Sequence, residues 1–191
     1  NSPAQWGGIV GCLQDNGSFE KGWLLGYNNN KFNFVLSTGG DLTYLNASTS
    51  FETGRWYHVV GTYNGSRMRI YVNGTERGSN TSRRGSIDYS PATFVIGCYL
   101  DDNEFYPLEG FISEVSLYNR ALSSQQVRNR YNRTRGLHTT RPKPPVVVTN
   151  RELSAGPYLA FTSPSEALIR WETAKPMPTR LAYGMTPTLQ N

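Results

Sequence analysis

Cysteine and histidine are scarce, with only two of each among 191 residues. Cys12 and Cys98 are too few for a disulfide scaffold or a cysteine-ligated zinc site, and fit either one disulfide or two buried thiols. His58 and His138 cannot supply the ligands of a two-metal hydrolytic centre. Charged residues make up only 17% of the chain while aromatics reach 13%, the reverse of a disordered composition. No apolar run approaches the roughly 20 residues that cross a bilayer, so no membrane span is expected. A nucleophilic serine would need a Gly-x-Ser-x-Gly elbow, and none occurs. The missing residues argue against catalysis by this chain.

The net charge of +5 is unevenly placed. Residues 1–119 hold 8 basic and 11 acidic side chains, residues 152–191 hold 3 of each, and residues 120–151 hold 8 basic and none acidic. The basic stretch comprises Arg120, Arg128, Arg130, Arg133, Arg135, Arg141, Lys143 and Arg151. It reads as a solvated helix face plus linker, with an anionic partner as the alternative. Specific nucleic-acid binding is not expected, because the first 119 residues are mildly acidic. Six Asn-x-Ser/Thr acceptor patterns, at Asn16, Asn46, Asn64, Asn73, Asn80 and Asn132, make a glycoprotein the expectation in a eukaryotic secretory pathway.

What is plentiful is strand and turn chemistry. Residues 56–63 run into Asn64-Gly65, and Met68, Ile70 and Val72 then alternate with Arg69 and Tyr71 up to Asn73-Gly74. Asn-Gly supplies the positive φ of type I′ hairpins, and period two turns one face inward, so a meander is predicted. Further strands are predicted at 8–12, 23–27, 32–37, 42–45, 93–99 and 110–118, in a spacing that suits a sandwich or barrel. Ser123-Ser124-Gln125-Gln126 fits a capping box and starts one short helix, which docks through Val127 and Tyr131 and turns Arg128, Arg130 and Arg133 outward. Residues 136–152 are Pro-rich and read as a linker between a first domain (1–135) and a partial second one (153–191). The second has predicted strands at 157–162, 167–173 and 180–183, too few to close a core.

Four ordered blocks carry a resemblance. Gly54-Arg55-Trp56-Tyr57-His58-Val59-Val60-Gly61-Thr62-Tyr63-Asn64-Gly65, then residues 68–74, then Val95-Ile96-Gly97, then residues 110–123 from Gly-Phe-Ile-Ser-Glu-Val to Ala-Leu-Ser resemble the laminin G-like, concanavalin A-like jelly roll. The resemblance covers residues 1–132 and implies an antiparallel β-sandwich with strands preceding Gln5. It departs from the family at Ser113, where relatives carry Asp. Residues 154–159, 169–173 and 181–184 resemble the fibronectin type III-like segment of purple acid phosphatases. That implies a calcineurin-like metallophosphoesterase domain beyond Asn191, with which this chain would make intramolecular contact and which alone would hold the dimetal centre.

Glycosidases on this fold carry paired carboxylates on one strand, whereas 110–118 offers only Glu114 near its middle. The loop Asp101-Asp102-Asn103-Glu104 presents the oxygen ligands that calcium prefers, and the laminin G-like resemblance also implies calcium there. Ile9-Val10-Gly11-Cys12 and Val95-Ile96-Gly97-Cys98 each end in Gly-Cys and enter a polar loop. If the two strands share polarity, the cysteines pair and Asp15 joins the acidic loop; if not, both remain thiols. Tyr99, Phe105 and Tyr106 flank that loop and are predicted to be partly exposed, as in sugar-binding sites. The expectation is a secreted or extracellular recognition module, periplasmic or surface-bound in a bacterium, that holds a glycan or matrix component. A structural spacer packed on the phosphatase domain, and an anion- or heparin-binding arginine helix, are the alternatives.

Overall fold

The structure is a computed structural model. It describes residues 5–17, 20–89 and 93–137 with their side chains, and further on the backbone of three strands within 153–180. The strands of the first part are β1 (Trp6–Gly11), β2 (Trp23–Asn28), β3 (Lys31–Thr38), β4 (Asp41–Ser50), β5 (Val59–Tyr63), β6 (Met68–Val72), β7 (Thr75–Asn80), β8 (Val95–Ile96), β9 (Cys98–Leu100), β10 (Phe105–Pro107) and β11 (Val115–Tyr118). One helix, α1 (Ser124–Thr134), follows, and then β12 (Leu153–Ser163), β13 (Glu166–Thr173) and β14 (Thr179–Arg180).

Strand alternation sorts these residues into layers. In the antiparallel sheet β14-β8-β1-β2-β3-β4, Leu25, Phe34, Leu36 and Leu45 turn to one side. They meet Met68, Ile70 and Val72 from β6 of the sheet β5-β6-β7, and Leu36 and Ile70 are fully buried. This is the sandwich core, and the mainly β, antiparallel fold with one short helix fits the expected jelly roll. The intervening residues point the other way and must also be covered, since a sheet face left apolar and bare costs free energy. Leu24 and Val35 pack under Leu13 and Tyr99, so the β9–β10 hairpin lies on the outer face of the first sheet. Tyr71, between Ile70 and Val72, packs with Leu122 and Val127, so α1 covers the outer face of the second. Four layers result: hairpin, sheet, sheet, helix.

The two Asn-Gly turns differ. Asn73 (φ 51°) and Gly74 (φ 77°) both take positive φ, the type I′ pattern predicted. At the β5–β6 turn only Gly65 does (φ 86°), which is the II′ pattern, and Asn64 instead accepts hydrogen bonds on Oδ1 from the Ser66 and Arg67 N–H groups. The tight I′ turn also explains β7, Thr-Glu-Arg-Gly-Ser-Asn, a strand without one apolar side chain. The turn sets its register on β6, and periodicity could not have shown it.

Two predicted strands are shortened. The 93–99 run breaks at Gly97 (φ 84°), whose N–H donates to the Ile9 carbonyl at 2.8 Å, and β9 leaves the sheet edge there. The 110–118 run becomes strand only from Val115, and Phe111 is exposed.

Of the two alternatives open for Cys12 and Cys98, the structure has the thiols: both are free and buried. Their strands are neighbours but antiparallel, with Val10 opposite Ile96 and Gly11 opposite Val95, so the two cysteines leave the pair in opposite directions. Burial raises both thiol pKa values, which keeps them protonated.

The capping box is present as predicted. Ser123 Oγ accepts from the Gln126 N–H, and Gln126 Oε1 from the Ser123 N–H at 2.9 Å. Arg128 and Arg133 are exposed, but Arg130 is not turned outward as expected: its guanidinium lies 5.0 Å from the centre of the Tyr118 ring. Tyr131 packs over Gly74 and 6.0 Å from the His58 ring. In the later segment β13 pairs with both β12 and β11, and β14 pairs with β8. The predicted linker lies outside the described residues from 138 onward, as does His138.

His58 should make this helix seat pH-sensitive. Its Nδ1 is buried without a hydrogen-bond partner, and burial, followed by the nearby Arg130 charge, lowers its pKa below 6.5, with Glu114 opposing. The folded state thus favours the neutral ring, while the unfolded chain binds a proton near pH 6.5. The contribution is complete above that pH and is lost as pH falls toward the lower folded value. Thermal melts from pH 7.5 to 5 should show a falling Tm that flattens in His58→Phe, which keeps the ring contact without the titration. An equal slope in the variant would place the effect elsewhere.

Candidate functional site

Gly8 is where the site begins. A Cβ there would lie 2.0 Å from the Tyr99 nitrogen and 2.1 Å from the Cys98 carbonyl carbon, so only glycine lets β9 cross β1 this closely. The crossing carries the turn 101–104 onto the loop that follows β1. Asp101 and Glu104 close that turn, the Asp101 N–H donating to the Glu104 carbonyl at 3.1 Å. Asp101 Oδ1 accepts from the N–H groups of Asn103 (3.0 Å) and Glu104 (2.7 Å), which fixes the loop from within.

The two polar loops meet, as the sequence suggested, although by a crossing and not by shared polarity. Asp102 accepts from the Asn16 amide at 2.9 Å and the Gln14 amide at 3.4 Å, and the Asp15 N–H reaches Asp101 Oδ2 at 3.4 Å. Three tyrosine hydroxyls then donate to three carboxylates. Tyr44 donates to Asp15 at 2.8 Å, Tyr106 to Glu104 at 2.9 Å, and Tyr99 to Asp101. Tyr99 and Tyr106 sit directly opposite each other on the hairpin and stack, with centroids 5.9 Å apart and planes 11° from parallel.

The electrostatics follow from this pairing. Burial, then the bond to Asp15 and the charges of Asp15, Glu20 and Glu104, drives the Tyr44 pKa far above that of free tyrosine. Burial and the Asp101 bond do the same for Tyr99. Tyr106, half-buried, is raised mainly by its bond to Glu104. For Asp101, burial alone would raise the pKa, but the Tyr99 hydroxyl and the Asn103, Glu104 and Asp15 N–H groups outweigh it and hold the carboxylate below its usual range. Together these carboxylates and tyrosine hydroxyls form a ledge that keeps its phenols protonated and Asp101 ionised through the neutral range.

The predicted residues are thus partly reassigned. Tyr99, expected to be exposed, is buried over Leu24 and Val35, and only its hydroxyl takes part. Phe105 is 48% exposed, but alternation along β10 turns it away from the Tyr99–Tyr106 stack. Tyr44, 47% exposed, was missed. Its position in β4 between buried Thr43 and Leu45 marks it as outward-facing, but nothing in the sequence said that this face meets Asp15.

Asp15, Asp101, Asp102, Asn103 and Glu104 share one loop cluster. Asp15, Asp101, Asp102 and Glu104 are all engaged by N–H or O–H donors, and among the described residues no group of three or more His, Cys, Asp or Glu is arranged to hold a metal. Laid out in this way, the ledge is an array of carboxylates and phenol hydroxyls beside an exposed ring, a surface that can exchange hydrogen bonds with a polyhydroxylated ligand.

The antiparallel sandwich with one short helix has the jelly-roll architecture of concanavalin A-like domains. The chain belongs to the concanavalin A-like lectin/glucanases superfamily, whose family profile matches residues 1–128. It is 28% identical over 154 residues to pappalysin-1 of Mus musculus and, to the same extent, of Homo sapiens. The alignment takes in 71% of this chain but spans only 9% of the length of either relative. Among solved structures, an S-layer domain-containing protein of Clostridium thermocellum aligns with 23% identity and a TM-score of 0.32, over 61% of this chain and 59% of that one. Agreement at that level carries no argument. No helix among the described residues is long and apolar enough to cross a membrane.

Proposed function

We propose that this domain is a non-catalytic carbohydrate-recognition module and that the ledge of Tyr44, Asp15, Asp101, Asp102 and Glu104 is its glycan site. The observation that carries the reading is the threefold pairing of tyrosine hydroxyls with carboxylates beside the exposed Tyr44 ring. Sugar hydroxyls donate to carboxylates, and an apolar sugar face stacks on a phenol ring. The clustered negative charge selects neutral or amino sugars and repels sulfated ones. Membership of a lectin-type superfamily supports the role. The likeness of residues 154–184 to the fibronectin-like segment of purple acid phosphatases supports a secreted parent enzyme that the module localises by tethering.

Screening the chain on a glycan array, with calcium and with chelator, should give binding to neutral oligosaccharides in both arms. For a hit measured by calorimetry, Tyr44→Ala should weaken binding about tenfold, the scale of one stacked ring and one hydrogen bond. Unchanged affinity in Tyr44→Ala and Asp102→Asn alike would move the site off the ledge. Binding that vanishes with chelator would mean that calcium reorganises the loop.

A further inference from the structure

The ledge lies on the outer face of the first sheet, and α1 covers the outer face of the second, so the sandwich separates two surfaces of opposite charge. Every charged residue of the helix and its flanks, residues 119–137, is an arginine, while Glu76, paired with Arg69, lies on the outer face of the second sheet. No acidic residue occurs between Asn119 and Arg151. Arg120, Arg128, Arg133 and Arg135 are exposed. None of them takes part in the ion pairs Arg55–Glu52, Arg69–Glu76 and Arg83–Asp41. Arg120 donates to Gln126 Oε1 at 3.1 Å, which steadies it against the first turn of the helix. Arg128 and Arg135 are seven residues apart, two turns or about 10.5 Å along one flank, while Arg133 occupies the other. Complementing the helix dipole explains a cation in the last turn, and Arg133 satisfies that role. It does not explain Arg120 or Arg128, which lie outside that turn.

We propose that this arginine face binds a linear polyanionic glycan, of the sulfated or polycarboxylated kind, on the side of the domain opposite the ledge. Guanidinium groups match sulfate and carboxylate bidentately, and a flexible chain of repeating anions can reach both flanks. An anionic membrane is the weaker fit, because the exposed helix surface offers Gln125, Asn129 and Asn132 between its arginines, and the one exposed apolar side chain nearby, Leu137, is a single residue in the turn after the helix and makes no apolar stripe. A single-stranded nucleic acid would look for free rings to stack on. Tyr118 lies beneath Arg130, and Tyr131 packs on Gly74 and His58.

The test uses the whole chain on immobilised heparin as the polyanion. Wild type should be retained and should elute with rising salt, as electrostatic binding does. The triple variant Arg128→Gln, Arg133→Gln, Arg135→Gln should lose about tenfold in affinity, the scale of three exposed ion pairs lost together, with the helix signal in circular dichroism unchanged. The matching arginine-to-lysine triple should recover most of the retention, and Lys31→Gln, which removes an exposed cation at the start of β3, should leave it unchanged. Equal retention of wild type and the glutamine triple would overturn the proposal. So would stronger binding to anionic vesicles or DNA than to heparin, or salt-sensitive self-association without heparin binding, which would mean that the arginine face meets the acidic face of another copy.

Discussion

Gly8→Ala should unseat the β9–β10 hairpin and take the glycan ledge with it. The added methyl would lie within about 2.0–2.3 Å of backbone atoms of Cys98 and Tyr99, where no rotamer change can make room. Overpacking of this kind costs about 1–3 kcal/mol, and more where backbone must move. The hairpin is held on the sheet by the small core of Tyr99 with Leu13, Leu24 and Val35 and by the bonds of Asp101 and Asp102 to Gln14, Asp15 and Asn16. It should therefore loosen before the sandwich does. Hydrogen exchange should show lost protection at residues 98–107 with β2, β3 and β6 still protected, and binding of the array hit should disappear. Full protection at 98–107 together with native affinity would show that β1 and β9 do not cross this closely.

Phe34→Ala should be among the most damaging substitutions in the chain, lowering stability by about 3–5 kcal/mol and Tm by roughly 10 °C or more. Phe34 is 5% exposed on β3, and its ring lies against Gly61 of β5 in the opposite sheet. A Cβ at Gly61 would come within 2.6 Å of that ring, so the glycine is the socket into which the phenyl fits. Removing the ring opens a cavity between two β-sheets whose backbones cannot collapse to fill it. Urea melts of wild type and variant, fitted with a common m value, give the difference directly. A loss below about 1 kcal/mol would mean that the sheets are not packed through this contact.

The sandwich was legible because its signals are local. Period two in Met68-Arg69-Ile70-Tyr71-Val72, the Asn73-Gly74 turn and the Ser123–Gln126 capping box each depend on residues within a few positions of one another, and each stands where it was expected. The outer layers were not legible for the same reason. Tyr71 and Val35 alternate with core residues, and period two marks such positions as outward. That both are buried depends on α1 and the hairpin arriving from fifty or more positions away.

Residue chemistry by itself determined that this chain folds as an antiparallel sandwich with one capped helix, that its positive charge gathers on that helix, and that acids and amides gather in the two loops after the Gly-Cys runs. Only the tertiary structure decided how these parts meet. Gly97 turns β9 out of the sheet and Gly8 lets it cross, so Asp101 and Asp102 reach Gln14, Asp15 and Asn16 while Cys12 and Cys98 are carried apart. The same crossing buries the Tyr99 ring and brings its hydroxyl to Asp101. A strand's own sequence fixes which residues share a face. Which distant segment covers that face is fixed by where the chain can turn and pass without collision, and here two glycines decide it.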